Sequence, residues 1–433
     1  MFLAFFRLIG KIFFREIVIE GRENLPPSGP VMLTPNHPND LLDPLLTLFF
    51  SPPLRLRHIA KSTLFQVPVV GSILRRMRAI PVLRQKEAHG PVDYTPFFDE
   101  CVGALAQGDS IVIFPEGGSS ENAFIGHVKS GVARMFFLAR ERGIDVPIVP
   151  VGINYEEGSI FRSSVLLLVA RPVDTKRAVA LHASDATAAI HALTAEIQEV
   201  LSEHVFQAET FQDRELIILL ERIYFESGQT HPWAERYKRL GEFKTRVARL
   251  RPCCPREMTR LRRLAARYRR LSHIAGRRTG ETPSTPVTAI LGAAGSLIAY
   301  IGWAFNWIPY RLVKWRVERG RLSRIDIATM TIGWSLVIFP LAYLAEGLLI
   351  GTFFGWKTGL LFGIGIVPFS YLTLRYFEWR ETLGIRPPYP SALFSGRWSR
   401  RTAKRLQRLR EQIMREVEGF AAVEYPQEKS GSG

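Results

Sequence analysis

From Glu16 to about His204 the chain alternates short apolar runs with longer amphipathic stretches. Pro30–Pro35, Ala79–Leu83, Ser110–Phe114, Ile148–Asn154 and Val165–Ala170 are short, rich in β-branched residues and bounded by turn-forming or polar residues, which predicts strands. Lys129–Arg142 and Ser184–His204 carry apolar residues at helical spacing and predict helices. Such alternation predicts an α/β domain over residues 16–205, a mixed sheet flanked by helices. Ahead of it, Met1–Phe14 is apolar with Arg7 and Lys11 one helical turn apart. No small-residue cleavage site follows, so residues 1–15 read as an uncleaved amphipathic helix that meets a membrane or is partly buried.

After the α/β region the pattern changes. Over residues 206–281 arginine and lysine recur among aromatic and leucine residues (Arg222, Arg236, Lys238, Arg239, Arg246, Arg249, Arg260, Arg262, Arg263, Arg267, Arg269, Arg270). This predicts two or three basic helices, lying on a bilayer, on the catalytic domain, or in solvent as a linker. Thr282-Pro283-Ser284-Thr285-Pro286 reads as a hinge. Residues 282–376 are apolar enough to be membrane-embedded. Ile327–Ala345 and Thr358–Leu374 hold no charge and approach spanning length, with Glu346 and Lys357 bracketing the link between them. The basic stretches Arg311–Arg324 and the tail 377–433 place both flanks on the cytoplasmic side, so 327–374 predicts a helical hairpin. Val287–Tyr310 then has two cytoplasmic flanks. A re-entrant or in-plane segment bent near Gly292 to Gly295 fits that, and a third spanning helix is the rival. Lys429–Gly433 reads as a disordered tail.

Composition sharpens the picture at two points. The net charge of +17 predicts an anionic partner surface. No nucleic-acid-binding signature accompanies it and long apolar segments do, so a lipid leaflet is the better partner and nucleic acid is not expected. The three cysteines, Cys101 and the adjacent Cys253 and Cys254, lack metal-ligand spacing, and neighbours rarely pair. No metal site is expected, and a reducing, cytosol-facing domain fits.

The candidate chemistry lies in four ordered blocks. Asn36-His37 with Asp43 supplies an imidazole and a carboxylate that can orient it; a histidine titrates near neutrality and suits a general base. Asp40 is the competing partner, but Asp43 followed by Pro44 suits the start of a helix. Ala79-Ile80-Pro81-Val82-Leu83-Arg84 ends on a guanidinium that can hold phosphate bidentately. Phe114-Pro115-Glu116-Gly117-Gly118-Ser119-Ser120 sets two glycines and two hydroxyls behind a carboxylate, so that backbone N–H groups can approach an anion. Lys129-Ser130-Gly131 opens a helix, whose N-terminus also favours phosphate. Val149-Pro150-Val151-Gly152 carries no reactive group and reads equally as an acyl-channel wall or sheet core. His37 and Glu116 each follow a strand, where open α/β sheets bind ligands.

In order and wording these blocks resemble the glycerolipid acyltransferase superfamily, over roughly residues 15–205. The histidine–aspartate spacing, one residue longer than the family's usual one, is similar to that of its glycerol-3-phosphate/dihydroxyacetone-phosphate acyltransferase branch. The resemblance implies a membrane-bound enzyme of phospholipid synthesis, its catalytic domain cytoplasmic. It would move an acyl group from acyl-CoA or acyl carrier protein to glycerol 3-phosphate, with dihydroxyacetone phosphate a further acceptor and no cofactor. It implies His37 and Asp43 as the catalytic pair, with Glu116, Gly117 and Ser119 at the polyol and Arg84 and Lys129 at the phosphate. The threonine-arginine that often follows the first glycine is replaced here by Gly118-Ser119, which shifts phosphate binding to Arg84 and Lys129. Lysophosphatidate as acceptor is the nearest alternative, and a non-catalytic lipid-binding scaffold a distant one. Oligomeric state stays open.

Overall fold

The computed structural model describes residues 2–88, 90–120, 124–158, 160–225, 232–275, 286–320, 322–382 and 396–421. These fall into two units, residues 1–211 with 314–334, and residues 212–313 with 335–433.

The first unit holds a seven-stranded sheet of β1 (Glu16–Glu20), β2 (Met32–Pro35), β3 (Leu56–Lys61), β4 (Ile80–Val82), β5 (Ser110–Val112), β6 (Ile148–Tyr155) and β7 (Ser164–Val169), in the order β1-β7-β6-β2-β5-β3-β4. From β6 to β4 all neighbours are parallel; β7 runs antiparallel to β6, and β1 follows β7. The sheet is therefore mixed, as the sequence argues. Alternation along each central strand feeds two cores. Met32, Ile111 and Ile148 face helices Thr95–Ala106, Gly131–Glu141 and Ala186–Glu203. Leu33, Val112 and Val149 face Phe13, Phe14 and the short helix Leu42–Thr47, with Ala328 and Ile332 in the same cluster. All eight residues of β6 are buried, as expected of a strand covered on both faces. Its Pro150 accepts a bond from the Ala170 N–H, so the N–H it lacks would face the end of β7, one residue outside the β6–β7 ladder. Val149 and Val151 are plain sheet core.

The N-terminal helix is Phe2–Phe13. Gly10 packs against Phe49 and Phe13 is buried, whereas Phe5, Leu8 and Ile12 are exposed. Arg162 donates to the carbonyls of Lys11, Ile12 and Phe14, satisfying the C-terminal end of that helix. At the opposite end of the sheet from the strands' carboxyl edge, buried Asp109 receives Arg57 at 2.6 Å and Arg55 and Arg78 at 3.2 Å each. The sequence suggests bilayer or solvent contacts for Arg75, Arg76 and Arg78. All three are exposed to solvent, and each also has a partner: Arg78 holds Asp109, Arg75 donates to the Phe65 carbonyl, and Arg76 lies over the Phe2 ring.

The second unit is helical among its described residues. Of the helices Phe211–Phe225, Trp233–Cys253 and Pro255–Ala275, the second and third are the basic ones, whereas the first carries Asp213, Glu215 and Glu221 against Arg214 and Arg222. Several of their arginines are structural: Glu221, fully buried, takes Arg236 and Arg239, and Asp213 takes Arg262. These groups are spent inside the unit rather than on a bilayer. Two helices are long and apolar enough to cross a membrane, Ile325–Phe354 and Trp356–Trp379. They pack backbone to backbone through Gly347-x-x-x-Gly351 and Gly359-x-x-x-Gly363: a Cβ at Gly359 would stand 2.4 Å from the Gly347 carbonyl. Pro286–Glu318 is helical throughout, including Gly292–Gly295, where the sequence suggests a bend. It runs alongside the second candidate span, with Gly295 against Tyr376, Gly302 against Thr373 and Phe305 against Phe362. Asn306, Tyr343 and Ser370 join three of these helices by hydrogen bonds of 2.6–3.1 Å. Residues 282–285 of the suggested hinge and the tail 429–433 lie outside the described residues, and Pro286 opens a helix.

His58 in β3 ties the sheet to helix Leu42–Thr47. The Thr47 hydroxyl donates to the Pro44 carbonyl, so His58 Nε2–H donates to it, at 2.7 Å. Burial lowers the His58 pKa to about 4. The unfolded chain therefore binds the proton more readily, and stability is complete above about pH 6.5 and lost as pH falls toward 4. This accounts for roughly 3 kcal/mol of acid lability. His58→Gln is expected to flatten the fall in thermal unfolding temperature over that interval; an unchanged slope would assign the lability elsewhere.

Candidate active site

Because β6, β2, β5, β3 and β4 are mutually parallel, their carboxyl ends emerge along one edge. His37 follows β2, Glu116 follows β5, Arg84 follows β4, and Tyr155 ends β6. Three blocks of the sequence thus converge with a residue that none of them contains.

Asp43 lies in the first turn of helix Leu42–Thr47 and is fully buried. One carboxylate oxygen accepts from His37 Nδ1 and from the Asn39 N–H, each at 2.7 Å; the other accepts from the Tyr155 hydroxyl. Burial pushes the Asp43 carboxyl up from its usual range, and the bonds from His37, Tyr155 and Asn39 oppose that rise. Burial raises the Tyr155 phenol as well, so at neutral pH it is a donor. With Nδ1–H given to Asp43, His37 Nε2 carries the lone pair. It makes no hydrogen bond among the described residues, and the side chain keeps 11% exposure. The imidazole stacks on Phe114, ring centroids 4.0 Å apart at 20°. Proton acceptor, orienting carboxylate and a second donor to that carboxylate are thereby in line. Asp40 is elsewhere, bonded by Ser119.

The His37 backbone is gripped from both sides. Its N–H donates to Glu116 Oε1 at 2.8 Å, and its carbonyl accepts from the Ser120 N–H at 3.1 Å. Glu116 Oε2 accepts from the Gly126 N–H at 2.9 Å. Glu116 is thus a clasp between two loops. Asn36 fixes the same loop to β6, bonding both the N–H and the carbonyl of Ile153.

Gly117 has φ +73°, and a Cβ there would lie 2.4 Å from Lys129 Nζ; a Cβ at Gly118 would lie 3.7 Å from Arg84 Nη1. Two cations therefore flank the Gly117-Gly118 backbone. Neither makes an ion pair or hydrogen bond among the described residues, whereas Lys61 at the end of β3 is taken by Glu87 at 3.2 Å. Such a place suits a phosphate dianion. Ser119 is committed to Asp40 and is not brought to the imidazole. Cys101 is buried in helix Thr95–Ala106, its thiol pushed up by burial, and offers no nucleophile. Tyr155 is what the sequence reading misses. It sits 112 residues from Asp43, and the only local signal is a polar tip ending an otherwise apolar strand.

Residues 16–154 match the family model described as Acyltransferase. Over 173 residues the chain is 30% identical to a chloroplastic 1-acyl-sn-glycerol-3-phosphate acyltransferase of Arabidopsis thaliana, 38% of this chain and 46% of that protein. Over 142 residues it is 34% identical to a glycerol-3-phosphate acyltransferase of Pseudomonas syringae pv. tomato, 32% of this chain and 17% of that protein. The chain thus spans less than half the length of the curated relatives it matches. The crystal structure of a 1-acyl-sn-glycerophosphate acyltransferase from Thermotoga maritima is similar with a TM-score of 0.35 at 22% identity, covering 46% of this chain and 77% of that one. The resemblance carried by the four blocks is that of an acyltransferase-family domain at residues 16–154.

Replacing Glu116 by Gln puts an NH₂ opposite one of the two backbone N–H groups it now accepts. The expected cost is about 1–3 kcal/mol, read as a lower unfolding temperature, with the amide exchange of Gly126 or His37 accelerated. Unchanged exchange at both would show that the clasp is not what holds the loops.

Proposed function

We propose that this chain, through its acyltransferase-family domain, transfers a fatty acyl group from a thioester to the first hydroxyl of glycerol 3-phosphate in glycerolipid synthesis. The observation that carries this is the His37–Asp43 pair, its Nε2 open, on the same sheet edge as Arg84 and Lys129, which have no ion pair among the described residues. Acyl-CoA or acyl carrier protein supplies the thioester.

Nε2 accepts the proton of the acceptor hydroxyl as its oxygen attacks the thioester carbonyl carbon. Asp43 holds the tautomer and stabilises the imidazolium that results, as the aspartate of a serine-protease triad does. The tetrahedral adduct collapses with cleavage of the carbon–sulfur bond, and the imidazolium returns the proton to the leaving thiolate. No acyl-enzyme forms. Arg84 and Lys129 bind the acceptor phosphate, and the Gly117-Gly118 backbone admits it closely. The apolar helices hold the domain at a bilayer, with the catalytic face cytoplasmic, so that the acylated product can partition. Three membrane-embedded helices fit the second unit better than a hairpin with an in-plane segment, because Pro286–Glu318 lies along the hairpin.

A second reading takes lysophosphatidate as acceptor. It is favoured by the Arabidopsis relative, whose name specifies that substrate class. The two are separated by assaying detergent-solubilised protein with palmitoyl-CoA against glycerol 3-phosphate, dihydroxyacetone phosphate and oleoyl-lysophosphatidate. Product from either of the first two supports our reading; product from lysophosphatidate alone moves the enzyme one step along. No His37-dependent product with either thioester would remove the enzyme reading.

In the same assay Asp43→Asn is expected to lower kcat by ~10³–10⁴-fold, the scale of a triad aspartate. Its folding should suffer as well, by about 1–3 kcal/mol, because the amide NH₂ would face one of the donors that Asp43 now accepts, so kcat is compared on folded protein. Tyr155→Phe should lower kcat about tenfold, one charge-assisted hydrogen bond, with KM little changed. Arg84→Gln and Lys129→Gln should act mainly on KM for the phosphorylated acceptor. A KM effect from Tyr155→Phe, or a pure kcat effect from Arg84→Gln, would contradict these roles.

A further inference from the structure

Two stretches of the helical unit repeat one pattern, Arg267-Tyr268-Arg269-Arg270-Leu271 in helix Pro255–Ala275 and Arg405-Leu406-Gln407-Arg408-Leu409 in helix Gly396–Ala421. Each reads Arg-x-x-Arg-Leu, which puts both arginines and the leucine on one helix face. The two helices pack together, their buried sides carrying Leu261, Leu264 and Tyr268 on one and Leu406, Ile413 and Val417 on the other. Arg260 reaches Glu416 across the seam at 2.9 Å. Where the two patterns face each other an open groove of about 490 Å³ lies at the surface, lined by both arginines and the leucine of each pattern and by Gln412, with all four arginines exposed to solvent.

None of these four guanidiniums has an ion pair or hydrogen bond among the described residues. Two of the acids in the same helices are engaged elsewhere: Glu416 takes Arg260 and Glu411 lies near Arg415. Elsewhere in the unit arginines are matched with carboxylates, as at Glu221 and Asp213. Four like charges on one groove repel, and nothing in the packing of the two helices requires them there. A multiply charged anion would turn that repulsion into attraction, and the planar guanidinium fork matches phosphate oxygens in pairs. Leu271 and Leu409 add an apolar flank that a bare phosphate does not use but the glycerol and first methylenes of a lipid would.

We propose that this groove is a second anion site, which binds a phosphomonoester of the kind borne by an acidic lipid head group or a free phosphate ester. It lies in the helical unit and is built without any residue of the His37 site. The proposal does not depend on the acyl-transfer reading, and its test measures binding alone.

The test uses the full-length protein carrying Arg84→Gln and Lys129→Gln, which silences the first phosphate-binding place. Binding of phosphatidate in mixed micelles is measured beside phosphatidylcholine and inorganic phosphate, by thermal unfolding and by equilibrium titration. Phosphatidate is expected to bind and to raise the unfolding temperature, with phosphatidylcholine inert. Arg270→Gln with Arg408→Gln should weaken phosphatidate at least tenfold. Should that pair disturb folding, the variant with all four arginines changed to lysine keeps the charge and is expected to lose affinity while retaining its helical circular dichroism. Arginine-dependent binding of inorganic phosphate as tight as that of phosphatidate would support the site with a free phosphate ester as ligand. Phosphatidate binding that survives both variants, or no anion binding above phosphatidylcholine, would overturn the proposal.

Discussion

A carboxylate with no access to water must have its charge met inside the protein, and in the first unit that constraint falls on Asp43. Three donors meet it, and each comes from a different piece of the fold: the imidazole behind β2, an amide in the loop before the helix, and the phenol that ends β6. β6 must therefore lie directly beside β2, and the His37 loop must be fixed in height. Asn36 secures it to β6 and Glu116 to the loop behind β5. The geometry of the reactive nitrogen is a by-product of satisfying a buried charge. Much of the site's preorganisation is thus supplied by folding itself.

The polar blocks were legible because each directly follows a strand whose period and composition are plain. His37, Asp43, Glu116, Gly117, Arg84 and Lys129 all come to one edge as the blocks imply. Two strands were not legible. β1, Glu-Ile-Val-Ile-Glu, is a partly exposed edge with a charge at either end. β3, Leu-Arg-His-Ile-Ala-Lys, breaks the apolar pattern with Arg57, committed to Asp109, and with His58, buried against Thr47. β3 hides its strand character behind polar groups satisfied by residues outside the strand. Tyr155 was hidden for the same reason, since no local spacing records which strand will lie beside β2. Ser119 shows the converse limit: the sequence places a hydroxyl in the block but does not show that it donates to Asp40.

In the helical unit, composition revealed the basic helices but not the use made of them. Arg236, Arg239 and Arg262 neutralise buried acids, whereas the arginines of the two Arg-x-x-Arg-Leu patterns meet none among the described residues. Equal charges in one sequence stretch thus divide into structural and uncommitted groups only when the acids are located. The apolar helices show the same limit. Charge on the flanks argued for a bend at Gly292–Gly295, yet these helices are held by close glycine contacts and by the Asn306–Tyr343–Ser370 bonds, which hydropathy does not register.

The long separation between the partners of Asp43 also orders events in time. A growing chain carries His37 and Asp43 out together, but Tyr155 follows 112 residues after the aspartate and Glu116 lies 79 residues beyond the histidine. Domains complete their sheets only once the last central strand is available. An unfinished or truncated polypeptide ending before β6 therefore holds a histidine and an aspartate but no aligned base.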